Sequence, residues 1–139
     1  MEKLTHKSKQ IIAALKTLNQ IITDFYELSP IARYYEELRD ALIKRFEYSA
    51  DLFWKFLREY LENQHGLTPP VTPKGVFKAA LDAEIISTEE ELALRLLIEN
   101  RNLTSHTYNI ELADEIAKFV PEHYVVMQKI VERLLGTNN

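Results

Sequence analysis

Apolar residues recur along the first third of the chain at Ile11, Leu15, Leu18, Ile22 and Phe25. Alternating steps of four and three put them on one face of a helix, so about residues 3–27 are predicted as one amphipathic helix. Ser29-Pro30 breaks it, with serine suited to an N-cap and proline to the first helical position. A longer helix follows over about 31–63, carrying the stripe Phe46, Ala50, Phe53, Leu57, Tyr60, and Gly66 ends it. The stretch LTPPVTP (67–73) is a rigid connector, because proline donates nothing to a helix ladder. Thr72-Pro73 restarts a short helix through about Ala83. Ser87 with Glu90 forms a capping-box pair, and Glu89 and Glu91 add negative charge at the positive end of the next helix. That helix, about 88–104, carries Leu92, Leu96, Leu97 and Leu103. Asn109 caps a last helix over about 110–135, which Pro121 is expected to kink or divide and Gly136 to close.

Four substantial helices, one short helix and no strand pattern predict an all-α fold: an antiparallel up-and-down four-helix bundle with an additional short helix. The 139 residues make one domain, 1–139, with no repeat or low-complexity tract. A hydrophobic share of 46% and a charged share of 27% fit a folded chain with a buried core. The absence of cysteine removes disulfides, thiolate catalysis and thiolate metal sites, and suits a reducing cytoplasm, the expected location. MEKLTHKSKQ is too polar for a secretory signal, and no apolar run approaches the roughly 18 residues of a membrane span. A net charge of −4 argues against coating nucleic acid non-specifically, though not against RNA contact at a local site.

Much chemistry is absent. Gly66, Gly75 and Gly136 are isolated, so no glycine-rich phosphate loop exists. His6, His65 and His123 lack the carboxylate or histidine companions of a zinc or di-iron site and read as surface residues. Phe53, Trp54, Phe56 and Tyr60 could stack nucleobases, but their helical spacing assigns them to the core. What remains is RNLTSHTY, residues 101–108. Five helical steps rotate a side chain by about 140°, so Arg101 and His106 diverge on a continuous helix. They cooperate within one chain only if the helix ends between them, which Thr104, Ser105 and Thr107 favour. If the chain is extended after His106, Tyr108 shares its side. Alternatively, the two side chains of different subunits meet across a twofold axis. Arginine can clamp a phosphate and histidine can move a proton to or from a ribose oxygen, a chemistry for phosphodiester cleavage that needs no metal or cofactor. The same residues also read as purely structural, with Arg101 paired to Glu99 or a neighbour and His106 capping a helix.

R-N-L-T-S-H-T-Y resembles the R-x4-H-x-Y motif of HEPN domains (higher eukaryotes and prokaryotes nucleotide-binding), in particular the branch described as the substrate-binding subunit of a minimal nucleotidyltransferase. RDALIKRFEYSADLFWKFLREYL (39–61) resembles the long second helix of that branch, with its R-F-E and W-K signature. The resemblance implies a helical homodimer with the motif at its interface. It implies a toxin-like endoribonuclease acting on RNA without metal, neutralised by a cognate minimal nucleotidyltransferase. Arg101 and His106 would be catalytic, Asn102 supporting, and Tyr108 the hydroxyl that the partner adenylylates. The other implied reading is a non-catalytic substrate-binding subunit of a two-component nucleotidyltransferase. Arg45 and Glu47, in the second signature, are expected to form a buried structural ion pair.

Overall fold

The computed structural model describes residues 2–28 and 32–136. The elements are α1 (Glu2–Leu28), α2 (Ala32–His65), α3 (Pro73–Asp82), α4 (Thr88–Leu103), a 3-10 turn (Thr104–His106) and α5 (Ile110–Leu135). They form an all-α bundle in which α1, α2, α4 and α5 are the four long helices and α3 is the short addition. The expected Ser29-Pro30 break lies outside the described residues.

The predicted stripes of α1 and α2 are the core. Ile11, Leu15, Leu18 and Phe25 of α1 meet Phe46, Ala50, Phe53 and Leu57 of α2, all buried. Small residues set the closest approach of the two helices: Ala14, Ser49 and Ala50 are buried together, and the Ser49 hydroxyl donates to the Ala14 carbonyl at 3.5 Å. Phe53 and Phe56 are fully buried, while Trp54 and Tyr60 pack partly buried against the same core. Burying a phenylalanine contributes about 1.5–3 kcal/mol, which explains why these rings are not free for bases.

The two predicted N-terminal caps, Ser87–Glu90 and Asn109, form, and Thr72 caps the short helix as well. Ser87 and Glu90 exchange both capping-box bonds, at 3.1 and 2.9 Å. The Asn109 side chain accepts from the Leu112 amide at 3.2 Å, and Thr72 from the Gly75 amide at 3.2 Å. Glu90 also receives two guanidinium bonds from Arg133, which donates a third to the Ile85 carbonyl. The start of α4 is thereby fastened to the end of α5.

Three expectations are corrected. Of the kink or division expected at Pro121, the division does not occur: the residue lies inside one α5. On α4 the core contacts come from Leu94, Leu97 and Ile98, whereas Leu92, Leu96 and Leu103 are exposed. Leucines occupy both sides of this helix, so periodicity alone could not choose between them. His123, expected at the surface, is 7% exposed, stacked on Phe46 with ring centroids 5.2 Å apart. Its Nε2 accepts a hydrogen bond from the Asn100 side-chain amide at 2.7 Å, which makes it the neutral Nδ1–H tautomer. His6 and His65 are exposed near helix ends, as read.

Burial lowers the His123 pKa from 6.5 to about 4. Between those values the unfolded chain takes up a proton that the folded chain refuses, so stability falls as pH drops through the window. Urea unfolding should lose roughly 2–4 kcal/mol from this source between pH 7 and pH 4. His123→Gln should flatten that part of the profile; an unchanged pH dependence in the variant would assign the loss to other groups.

Candidate functional site

The site begins with the side of α4 that faces the core. Leu94, Leu97 and Ile98 are buried there, and Arg101 follows at the next position of the same face. The arginine therefore points toward α2, where Glu47 and Asp51 stand one turn apart beside the apolar stripe. Asp51 accepts two hydrogen bonds from the guanidinium, Nε–H to Oδ1 at 2.8 Å and Nη2–H to Oδ2 at 3.0 Å. Nη1–H donates to the Thr104 hydroxyl at 3.2 Å, and Glu47 Oε2 lies 3.9 Å from Nη1. The hydrogen bonds to Asp51 hold the guanidinium more firmly protonated than usual, against burial, with both carboxylate charges adding to the effect.

Thr104 is buried and joins the two helices. Its hydroxyl lies 2.7 Å from both the Glu47 carboxylate and the Arg101 carbonyl. A side-chain oxygen bonded back to the preceding turn competes with continued α-helix, and here the chain tightens into the 3-10 turn. The α-helix thus ends between Arg101 and His106, as the divergence argument requires.

At the end of the turn and just past it, His106 and Tyr108 are exposed, Tyr108 at 84%. Their rings sit edge to face with centroids 6.1 Å apart. They share a side, but through the 3-10 turn and a Thr107 in helical backbone geometry rather than through an extended chain. No hydrogen bond joins His106 or Tyr108 to Arg101 among the described residues; the motif is split into an inward cation and an outward ring pair. The Asn102 side chain is exposed, and only its backbone carbonyl takes a hydrogen bond, from Ser105. A recess of about 160 Å³ lined by Asp40, Ile43, Lys44, Glu47, Thr104 and Thr107 opens beside the turn.

The far side of the turn is fastened as well. Asp114, in the first turns of α5, accepts from the Tyr35 hydroxyl at 2.8 Å and from buried Arg39 at 3.1 Å. Burial works against the Asp114 charge, but these two donors outweigh it and hold the carboxyl below its ordinary range. Both ends of the RNLTSHTY turn are therefore tied to α2.

Arg101 is structurally paired, with Asp51 and Thr104 rather than with Glu99, and the expected Arg45–Glu47 ion pair does not form. Glu99 faces Lys74 at 3.7 Å instead of Arg101. Glu47 pairs with Thr104 and Lys44, while Arg45 is exposed, because residues two apart on a helix point to different sides. Asp51 is the neighbour of Arg101 that the motif spacing does not reveal. The available signal is a pair of carboxylates, Glu47 and Asp51, one turn apart beside an apolar stripe, where a cation is favoured. Among the described residues no group of three His, Asp or Glu side chains is placed to hold a metal, and no helix is long and apolar enough to cross a membrane.

Residues 6–135 match the family described as "Nucleotidyltransferase substrate binding protein like". A solved protein from Thermus thermophilus is 33% identical, with 84% of this chain and 98% of that one aligned at a TM-score of 0.70. HI0074 of Haemophilus influenzae, described as having the fold of a substrate binding domain of a nucleotidyltransferase, is 20% identical, with 92% and 98% covered and a TM-score of 0.75. A toxin–antitoxin structure with AMP-PNP is 16% identical, with 94% and 96% covered and a TM-score of 0.72. These last two likenesses establish shared fold only. No curated protein matches the chain.

The geometry separates structural from exposed motif residues. Thr104→Val removes the hydroxyl between Arg101 and Glu47 and should cost about 1–3 kcal/mol in urea unfolding. Asn102→Ala should stay within about 0.5 kcal/mol of wild type. Equal effects at the two positions would contradict the placement of Thr104.

Proposed function

The chain belongs to the nucleotidyltransferase substrate binding protein like family, the HEPN-type branch, and on that footing we propose that it is a metal-independent endoribonuclease of toxin type. Its cognate minimal nucleotidyltransferase silences it by adenylylating Tyr108. Arg101 binds the scissile phosphate and His106 moves the proton, with Asn102 as an auxiliary hydrogen-bonding group at the phosphate. The supporting observation is the guanidinium itself. Only three of its five N–H donors are used within the described chain, which leaves one on each terminal nitrogen for a phosphate.

In the reaction, the ribose 2′-oxygen attacks phosphorus and the bond to the 5′-oxygen breaks, giving a 2′,3′-cyclic phosphate and a free 5′-hydroxyl. His106 accepts the 2′-hydroxyl proton as general base. The departing oxygen is protonated by water or by His106 of a second copy. Arg101 stabilises the negative charge that grows on the non-bridging oxygens.

A homodimer supplies that second copy. Leu92, Leu96 and Leu103 form one stripe on α4, with Leu92 57% and Leu96 60% exposed, and Tyr108 and Ile110 continue apolar exposure past the turn. An isologous contact across this face would bring two motifs near one axis. Sedimentation should show a dimer in the micromolar range and a monomer for Leu96→Glu. A monomeric wild type would remove the dimer.

The Tyr108 hydroxyl is open to a modifying enzyme. An attached AMP would add a phosphodiester charge beside His106 and cover its ring, so repulsion of RNA phosphate and occlusion both inhibit. Purified protein should cut RNA in the presence of EDTA, and His106→Ala or Arg101→Ala should each lose about 10²–10⁴-fold. Unchanged cleavage by His106→Ala would defeat the nuclease reading and favour the alternative, a non-catalytic substrate-binding subunit. Intact mass after incubation with the partner and ATP should show one AMP on wild type and none on Tyr108→Phe.

A further inference from the structure

A free surface arginine reaches a phosphate by giving up water; Arg101 is already committed. Asp51 holds the Nε and Nη2 edge in a two-point contact at 2.8 and 3.0 Å, and Thr104 holds Nη1 from the other side. The guanidinium is half-buried between α2 and α4. These contacts restrain the plane of the guanidinium, and one N–H on each terminal nitrogen has no hydrogen-bond acceptor among the described residues. Asp51 therefore fixes the plane in which a phosphate can be met.

The same carboxylate has an electrostatic cost. Lys44 already pairs with Glu47 at 3.4 Å, so Asp51 offsets the positive charge of Arg101 that an approaching phosphate would otherwise meet. Such a site binds its ground state weakly. Its value comes when charge develops on the non-bridging oxygens, because a donor fork fixed in advance needs no reorganisation at that moment.

The geometry points to Asp51 as a positioning residue: it keeps Arg101 anchored throughout the reaction and gives up ground-state RNA affinity for a fixed transition-state clamp. This inference rests on the cleavage reading above for its kinetic half. The anchoring half stands on the Arg101–Asp51 contact alone. The opposite mechanism, in which phosphate displaces Asp51 and the arginine swings out, makes contrary predictions.

The test combines kinetics with NMR of the full-length protein. In ¹⁵N-labelled wild type, the Arg101 Nε–H resonance, assigned by its loss in Arg101→Lys, should be protected from solvent exchange. It should remain protected when a 2′-O-methyl RNA oligonucleotide binds, since that probe cannot be cut. Asp51→Asn should lower kcat by about 10–100-fold, the scale of a misplaced catalytic group. It should also lower KM by about 2–5-fold, since one repelling charge is gone. A general loss of structure would raise KM or leave it unmoved. Asp51→Glu, which can still make a two-point contact, should recover part of kcat. Loss of Nε–H protection on binding the oligonucleotide, or a wild-type kcat in Asp51→Asn, would overturn the inference. If wild-type protein cuts no RNA, the nuclease reading falls; an Nε–H still protected in the bound state would support the anchored arginine for a binding subunit. That measurement on wild type also decides the matter if Asp51→Asn fails to fold.

Discussion

Two carboxylates on the long second helix, Glu47 and Asp51, stand beside an apolar stripe that is packed against the rest of the bundle. Removing part of their hydration is costly unless a cation and hydrogen bonds replace it. Arg101 and Thr104 supply both, from the end of α4. This exchange fixes how far α4 runs, how it is rotated against α2, and where the following turn begins. Asp114 with Arg39 and Tyr35 repeats the arrangement at the start of α5. The turn that carries the motif is thus suspended between two ionic fastenings, while the far end of α4 is held by Arg133 on the capping box.

The sequence motif joins residues that the structure divides by direction. Arg101 faces inward and is partnered; His106 and Tyr108 face outward and touch each other. A phosphate chain lying against this end of the bundle can meet all three only by spanning the 3-10 turn. In the function proposed above, Arg101 would hold the phosphate in a fixed direction while His106 acts on the ribose oxygen.

Helix positions were legible because local signals carried them. The stripes of α1 and α2, the Ser87–Glu90 pair, Asn109 and Gly136 each rest on contacts within a few residues. The side of α4 that is buried was not, since Leu92 and Leu96 compete with Leu94 and Leu97 until the other helices are in place. Pro121 does not divide its helix, although its missing amide would favour that in an isolated one, because α5 is packed against α1, α2 and α4. His123 looked polar beside Glu122, and only the stacking on Phe46 and the Asn100 amide make it a core residue. In the candidate site, Arg101, His106 and Tyr108 were visible as a spacing. Asp51 was not, because fifty residues separate it from its partner in the chain and the packing of α4 on α2 brings them together.

The 3-10 turn Thr104–His106 has a further meaning as a measure of length. With both flanking helices tied to α2, a residue gained or lost between Leu103 and Asn109 could not be passed into either helix without breaking a fastening. The turn itself would have to absorb it. At about three residues per turn, each such change swings the imidazole by roughly 120° around the local axis. The loop is therefore a ruler: its number of residues aims His106 and Tyr108, while the identity of those residues decides what is aimed.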